Sequence, residues 1–215
     1  SHTIVKLLDS NYDVIALDNF SNSSSLVIDR IKLITEKDFE LIDGDIRDIK
    51  ILKNIFTNNN ISAVIHFAGL KAVGESEKYP LKYYENNVSG STTLFKAMAL
   101  HNIKKIVFSS SATVYGDQKI KKFNERTSLN PTNVYGKTKM IVEGILNDLY
   151  KNDKDWRIMI LRYFNPIGAH HSGLIGDNPT DFPNNLLPFI SQVAISKREK
   201  LFVYGKDYPT PDGTG

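Results

Sequence analysis

Tyr135 and Lys139 stand four residues apart in the run Tyr135-Gly136-Lys137-Thr138-Lys139. On a helix that spacing puts both side chains on one face. As a pattern it also fits a surface tyrosine beside a solvated lysine. The serine run Ser109-Ser110-Ser111 adds weight, because it ends the strand-like stretch Lys105-Ile106-Val107-Phe108. Open α/β sheets bind ligands beyond the C-terminal ends of their strands. A serine, a tyrosine and a lysine converging there form a site suited to oxidising a hydroxyl group. A free tyrosine ionises near pH ~10, so half-ionising it at pH ~7 takes about 4 kcal/mol. An ammonium ~4 Å away supplies about that much at an effective dielectric of ~20. Lysine is therefore a fitting partner for a tyrosine acting as base, and the serine would hydrogen-bond the reacting hydroxyl.

Two acidic residues suggest a cofactor. Asp18 directly follows Val14-Ile15-Ala16-Leu17. An acid ending the second strand of a dinucleotide fold accepts hydrogen bonds from the adenosine ribose and repels a 2′-phosphate, favouring NAD over NADP. The same residue fits a helix N-cap or a turn. Asp45, in Gly44-Asp45-Ile46, either holds the adenine amino group or shapes a turn. His66, His170 and His171 have no carboxylate or cysteine partners at metal-ligand spacing, so no metal is assigned.

These residues need a scaffold, and the chain alternates accordingly. Strand-like runs at residues 13–17, 39–42, 63–67, 105–108 and 157–161 are β-branched and nearly continuous, as in parallel strands buried on both faces. Helical patterns lie between them: Ile51, Leu52, Ile55 and Phe56 within 49–56, a long stretch over 81–100, and the stripe Ile141, Ile145, Leu149. The reading is an α/β fold, a doubly wound (Rossmann) parallel sheet over residues 1–164. From Asn165 the alternation fails and Gly, Pro and Asn become dense, so residues 165–215 read as the start of a smaller substrate-binding domain. Residues 1–8 read as a helix with no strand before it. The first strand and its glycine-rich loop are therefore expected to be missing from the segment, and that strand is central in the 3-2-1-4-5-6 order.

Composition narrows the class. The 215 residues are 41% hydrophobic and 24% charged, with net charge +3, an ordinary soluble balance. The basic runs Lys119-Ile120-Lys121-Lys122 and Lys197-Arg198-Glu199-Lys200 lack interleaved aromatics, so nucleic acid is not expected as a partner. With no cysteine, thiolate catalysis and cysteine-ligated zinc are excluded. No apolar run reaches the ~20 residues of a membrane span and no signal pattern opens the chain, so a cytoplasmic protein is expected.

Longer blocks carry a resemblance. Leu17-Asp18-Asn19, Gly44-Asp45-Ile46-Arg47, the run from Val64 to Ser76, Phe108 to Asp117, Leu161 to Pro166 and Pro183-Asn184-Asn185-Leu186 follow one another in order. So do Ser1-His2-Thr3 and Asp212-Gly213-Thr214-Gly215 at the two ends. Together they resemble the UDP-glucose 4-epimerases, a family within the extended short-chain dehydrogenase/reductases, over the whole chain. The resemblance implies NAD as cofactor, UDP-glucose and UDP-galactose as partners, and oxidation at C4 through a 4-keto sugar that is reduced on its opposite face. It implies Ser111, Tyr135 and Lys139 as catalytic residues. Asp18, Asn19, Asn22, Asp45, Ile46, Phe67, Ala68, Gly69, Lys71, Asn86 and Phe164 would join them around NAD. Asn165, Asn185, Leu186, Phe202, Val203 and Tyr204, with Lys71, would hold the UDP-sugar.

The resemblance also implies a homodimer. Related 4,6-dehydratases place Asp-Glu after the active-site hydroxyl, where this chain has Ala112 and Thr113. The alternatives are a 4-epimerase of another UDP-sugar and a catalytically silent, NAD-responsive binding protein.

Overall fold

A computed structural model describes residues 1–119, 122–177, 185–203 and 205–213. In chain order the first half holds α1 (His2–Asp9), β1 (Ile15–Asp18), α2 (Leu26–Thr35), β2 (Glu40–Asp43), α3 (Ile49–Asn58) and β3 (Val64–His66). Then come α4 (Val73–Lys78), α5 (Pro80–Tyr83), a π-helical turn (Tyr84–Ser89) and α6 (Gly90–Leu100). β4 (Lys105–Ser111), a 3₁₀ turn (Ala112–Tyr115), α7 (Val134–Asn152), β5 (Arg157–Tyr163) and α8 (Leu186–Ala194) complete the series. These elements belong to two compact units that interleave along the chain.

The larger unit comprises Asp13–Asn19 and Phe39–Pro166 and carries all the strands found among the described residues. Every pairing is parallel, in two sheets: β1 with β2, and β3-β4-β5. Among the described residues no strand joins β1 to β3. In the larger sheet Val64, Ile106 and Ile158 are in register, as are His66, Phe108 and Ile160. Alternation sends these residues to one face. There α3, α6 and α7 supply Leu52, Leu94, Phe95, Met98, Val142 and Leu146 to a single core with Ile106 and Phe108.

The expected burial on both faces is only half realised. Ile65 and Met159, on the opposite face in the register Ile65–Val107–Met159, are 37% and 57% exposed, because the core lies on the other side. Two strands run further than their apolar residues indicate. β4 and β5 stay paired through Ser111 and Tyr163, so the serine run is itself part of the ladder. The long helix expected over 81–100 is instead α5, the π turn and α6. A π turn takes in one extra residue and often marks a functional position; this one carries Asn86 and Asn87.

The smaller unit comprises Ser1–Tyr12, Phe20–Asp38 and Ile167–Gly215. Val5, Leu8 and Ile31 are buried there. Lys37 Nζ donates to Leu8 O at 2.6 Å and Asn11 Oδ1 at 2.8 Å, tying the end of α1 to the chain after α2. Arg30 reaches Leu174 O at 3.2 Å.

Candidate active site

The start of α7 is fixed before any chemistry is considered. Asn133 caps it, accepting from Gly136 N at 2.7 Å. Two further orphan N–H groups of the first turn are met by α4: Tyr135 N donates to Ser76 Oγ at 3.1 Å and Val134 N to Glu77 Oε1 at 2.7 Å. Gly136 lets this turn lie against the 3₁₀ turn after β4. A Cβ there would sit 2.8 Å from Thr113 O and 3.0 Å from Pro131 Cβ, and the first of these is backbone that cannot step aside. We expect Gly136→Val to destabilise the protein by about 1–3 kcal/mol, the usual cost of overpacking, and to move Tyr135 off the strand ends. Denaturant unfolding checks this; an unchanged midpoint would show that the turns can separate freely.

Ser111 closes β4 and is nearly buried. Its Oγ accepts from Thr113 N at 3.2 Å and from Thr113 Oγ1 at 3.0 Å. A serine hydroxyl has two acceptor positions and one proton. Thr113 fills both, so the Ser111 proton is directed elsewhere, and the Ser111 hydroxyl favours ionisation of the neighbouring Tyr135. Burial pushes the Tyr135 phenol up from its ordinary value, and the Ser111 hydroxyl pulls in the opposite direction. The expected depression of Tyr135 is thus not a property of the protein alone, since desolvation outweighs the pull of Ser111.

Lys139 follows one turn later, 5% exposed, with Nζ donating to Ser109 O at 2.8 Å. The ammonium lies 5.9 Å from the Tyr135 ring centre and 4.9 Å from that of Phe108. Burial lowers its pKa to about 8, against the attraction of Glu143. Gly69, in the loop after β3, approaches the same amine: a Cβ there would be 3.5 Å from Nζ and 3.3 Å from Asn87 Oδ1. His66 is buried behind, hydrogen-bonded to Ser91 Oγ at 2.9 Å, its pKa held down to about 3 by burial and by Lys139. It is a neutral core residue.

Asn87 is a positioning residue that sequence reasoning passed over in favour of its neighbour. It is 2% exposed, and its amide receives Leu70 N at 2.8 Å while donating to Leu70 O at 2.9 Å and Thr138 Oγ1 at 3.2 Å. One side chain thus pins the loop carrying Gly69 to the helix carrying Lys139. Asn86 donates to Asn87 Oδ1 at 3.0 Å. The signal was a polar pair inside a long apolar helical pattern. Thr113 was noted only for not being a carboxylate, and its role at Ser111 follows from the turn.

The smaller sheet presents a second polar group. Asp18 ends β1 opposite Asp43 of β2, and Asn19 Nδ2 donates to Asp45 Oδ2 at 2.9 Å. Arg47 meets the same carboxylate through N, Nε and Nη2 at 2.7–2.9 Å. These bonds, chiefly the Arg47 side chain, hold Asp45 far below the usual carboxylate range. Ile46 is buried and would meet a Cβ on Gly90 at 2.8 Å, which seats the loop on α6.

Phe67, Ala68, Lys71, Phe164 and Asn165 are exposed. Phe67 at 48% and Phe164 at 62% are not core, although their types alone allowed it. Both follow strand ends, and Phe164 lies beside the rings of Tyr115 and Phe123. Asn22, Asn185, Leu186, Phe202 and Val203 belong to the smaller unit. Within it Asn185 Nδ2 donates to Asp177 Oδ2 at 3.2 Å, and Leu186, Phe202 and Val203 are exposed. Tyr204 lies outside the described residues.

The model of the NAD dependent epimerase/dehydratase family matches residues 1–214. The chain belongs to that family. Curated relatives agree: a UDP-glucose 4-epimerase of Dictyostelium discoideum is 54% identical over 215 residues, all of this chain and 62% of that protein. One from Bacillus subtilis is 53% identical, again over all of this chain and 63% of its own length. The crystal structure of UDP-glucose 4-epimerase from Bifidobacterium longum in complex with NAD+ and UDP superimposes with a TM-score of 0.95 at 50% identity, covering 100% of this chain and 64% of that one. The chain therefore spans a little over three fifths of the relatives it matches. In this member of the epimerase/dehydratase family, Ser111, Tyr135 and Lys139 gather near the C-terminal end of β4, the edge at which open α/β folds bind ligands.

Proposed function

We propose that the full-length protein interconverts UDP-glucose and UDP-galactose, oxidising C4 of the hexose and reducing it from the opposite face with NAD retained. The observation that carries this reading is the cluster of Ser111, Tyr135 and Lys139, with Ala112 and Thr113 after the serine where elimination would need carboxylates. The residues present fit NAD. Gly69 leaves open a space beside Lys139 Nζ that a Cβ would fill, and Lys139 has two N–H donors beyond the one given to Ser109. Asp18, Asn19, Asn22, Asp45 and Ile46 would hold the adenosine end. Phe67, Ala68, Gly69, Lys71, Asn86 and Phe164 would serve the remainder. Bound NAD supplies the hydride acceptor and, for the return, its donor.

The chain's own residues handle the proton and the orientation. Tyr135 takes the proton from the C4 hydroxyl as that carbon is oxidised, and gives it back on reduction. Ser111, with its acceptor positions filled by Thr113, donates to the reacting oxygen. Lys139 supplies positive charge beside the phenol. Asn165, Asn185, Leu186, Phe202, Val203 and Tyr204 would anchor the UDP-sugar while the 4-keto ring turns over. On resemblance we extend the proposal to a cytoplasmic homodimer.

The test uses full-length protein purified without added cofactor, incubated with UDP-galactose and coupled to detection of UDP-glucose. Turnover without external NAD is the expected result. No turnover even with NAD supplied would overturn the reading in favour of another UDP-sugar or a silent NAD-binding protein.

A further inference from the structure

Behind the cluster lies a charged network that the proposed reaction does not use directly. Glu143, on α7 one turn beyond Lys139, is 1% exposed. Its carboxylate receives Arg162 of β5 through Nη2 at 2.7 Å and Nε at 3.1 and 3.2 Å, and accepts a hydrogen bond from Ser110 Oγ of β4. Arg162 also donates to Tyr115 Oη at 3.1 Å, and Tyr115 Oη donates to Asn124 O at 3.0 Å. Ser110 stands between Ser109, whose carbonyl takes Lys139, and Ser111.

A buried ion pair of this kind is costly, and replacing it by apolar residues is often neutral or stabilising. Stability alone is therefore a weak account of it. The surroundings of Lys139 offer a better one. From β4 come the Ser109 carbonyl and the Phe108 ring; from β3 comes His66, held neutral; from α7 come Tyr135 and Glu143. Among these groups Glu143 is the carboxylate, and its attraction opposes the discharge of Lys139 by burial.

We propose that Glu143 is a positioning residue whose buried carboxylate, anchored by Arg162 and Ser110, keeps the Lys139 ammonium charged beside Tyr135. The inference rests on the proposed roles of Tyr135 and Lys139. Arg162 and Ser110 aim the carboxylate, and Glu143 acts on the reaction only through the lysine. The arrangement also joins α7, β4, β5 and the 3₁₀ turn, so one network both aligns the cluster and sets its charge.

The test compares full-length wild type, Glu143→Gln and Glu143→Asp. Two readouts are followed: the pH profile of kcat/KM, and the tyrosinate absorbance of Tyr135, isolated by difference from Tyr135→Phe in each background. Glu143→Gln is expected to move the alkaline limb of the profile down, and the Tyr135 ionisation up, each by about one pH unit, the lower end of what a close opposite charge produces. Glu143→Asp, which keeps the charge, should restore both positions even at reduced kcat. Lowered amplitude with unmoved limbs would overturn the proposal and leave Glu143 a structural residue. Should Glu143→Gln fail to fold because Arg162 is left uncompensated, Glu143→Gln/Arg162→Gln removes both charges. Loss of the Arg162 cation offsets part of the loss of the carboxylate, so shifts of the same sign but smaller size are expected of it, because Glu143 is the nearer charge to Lys139. Unshifted titrations would overturn the proposal. An inactive wild type would refute the proposed function, while the tyrosinate titration would still decide the part played by Glu143.

Discussion

Tyr135→Phe should lower kcat of the full-length protein by about 10³-fold, within the range assigned to a positioned acid–base group, while leaving the fold intact. The two halves of that expectation come from different atoms. Only the phenolic oxygen is removed, and it is the atom that would carry the C4 proton. What holds the residue in place is untouched: its N–H bonds Ser76 Oγ, its carbonyl accepts from Thr138 Oγ1 at 2.7 Å, and the ring remains 5.9 Å from Lys139 Nζ. Losing the phenol beside Ser111 costs at most about 1 kcal/mol of stability, the net worth of a typical hydrogen bond. Because the phenol is raised by burial, part of that loss is offset when the polar group leaves a desolvated site. Kinetics and thermal unfolding, measured side by side, check both. A Phe variant with wild-type kcat would remove Tyr135 as the base; a collapse in stability matching the loss of rate would make its role structural.

The sequence was most legible where chemistry and chain geometry coincide. Strand–helix alternation located the five strands, and the serine run marked the end of β4 because ligands in such sheets collect at strand ends. The four-residue step from Tyr135 to Lys139 survived intact because α7 is regular from its Asn133 cap onward. Less legible was whatever depends on where two distant segments meet. Asn87 matters because a π turn buries it between Leu70 and Thr138, and nothing in its own neighbourhood announces those partners. Thr113 acquires its role from a 3₁₀ turn that folds it back onto Ser111. Glu143 carries no signal of its own in the run after Lys139, whereas Arg162, nineteen residues later, makes it the centre of a buried pair. Burial of the strands was overestimated for a related reason, since an apolar run does not reveal which of its faces a core will cover. The expected depression of Tyr135 took charge into account but not desolvation, which a sequence does not display.

Lys139→Met should change the shape of the pH profile as well as its height. Lys139 titrates at about 8 in this site, so its ammonium is present at pH ~7 and is lost as pH rises through that value. A cation ~6 Å from the phenolate charge, with an effective dielectric of ~20, favours tyrosinate by about 3 kcal/mol, or about two pKa units. The sign follows directly. Without the cation Tyr135 ionises at higher pH, and the acid limb of kcat/KM moves upward by about two units. Below that limb the rate changes tenfold per pH unit, so at neutral pH the variant should be slower by about 10², with the gap narrowing as alkali ionises the phenol. The alkaline limb, which in the wild type marks discharge of the lysine, should vanish, turning a bell into a rising curve. Stability should change little. Methionine fills similar volume and removes a desolvated charge, while the Ser109 carbonyl loses its donor at a cost of about 1–3 kcal/mol. A profile scaled down without change of shape would show that Lys139 acts only by holding ligand. A vanished alkaline limb with an unmoved acid limb would separate its charge from the ionisation of Tyr135, and with it the coupling on which a tyrosine base in this buried site depends.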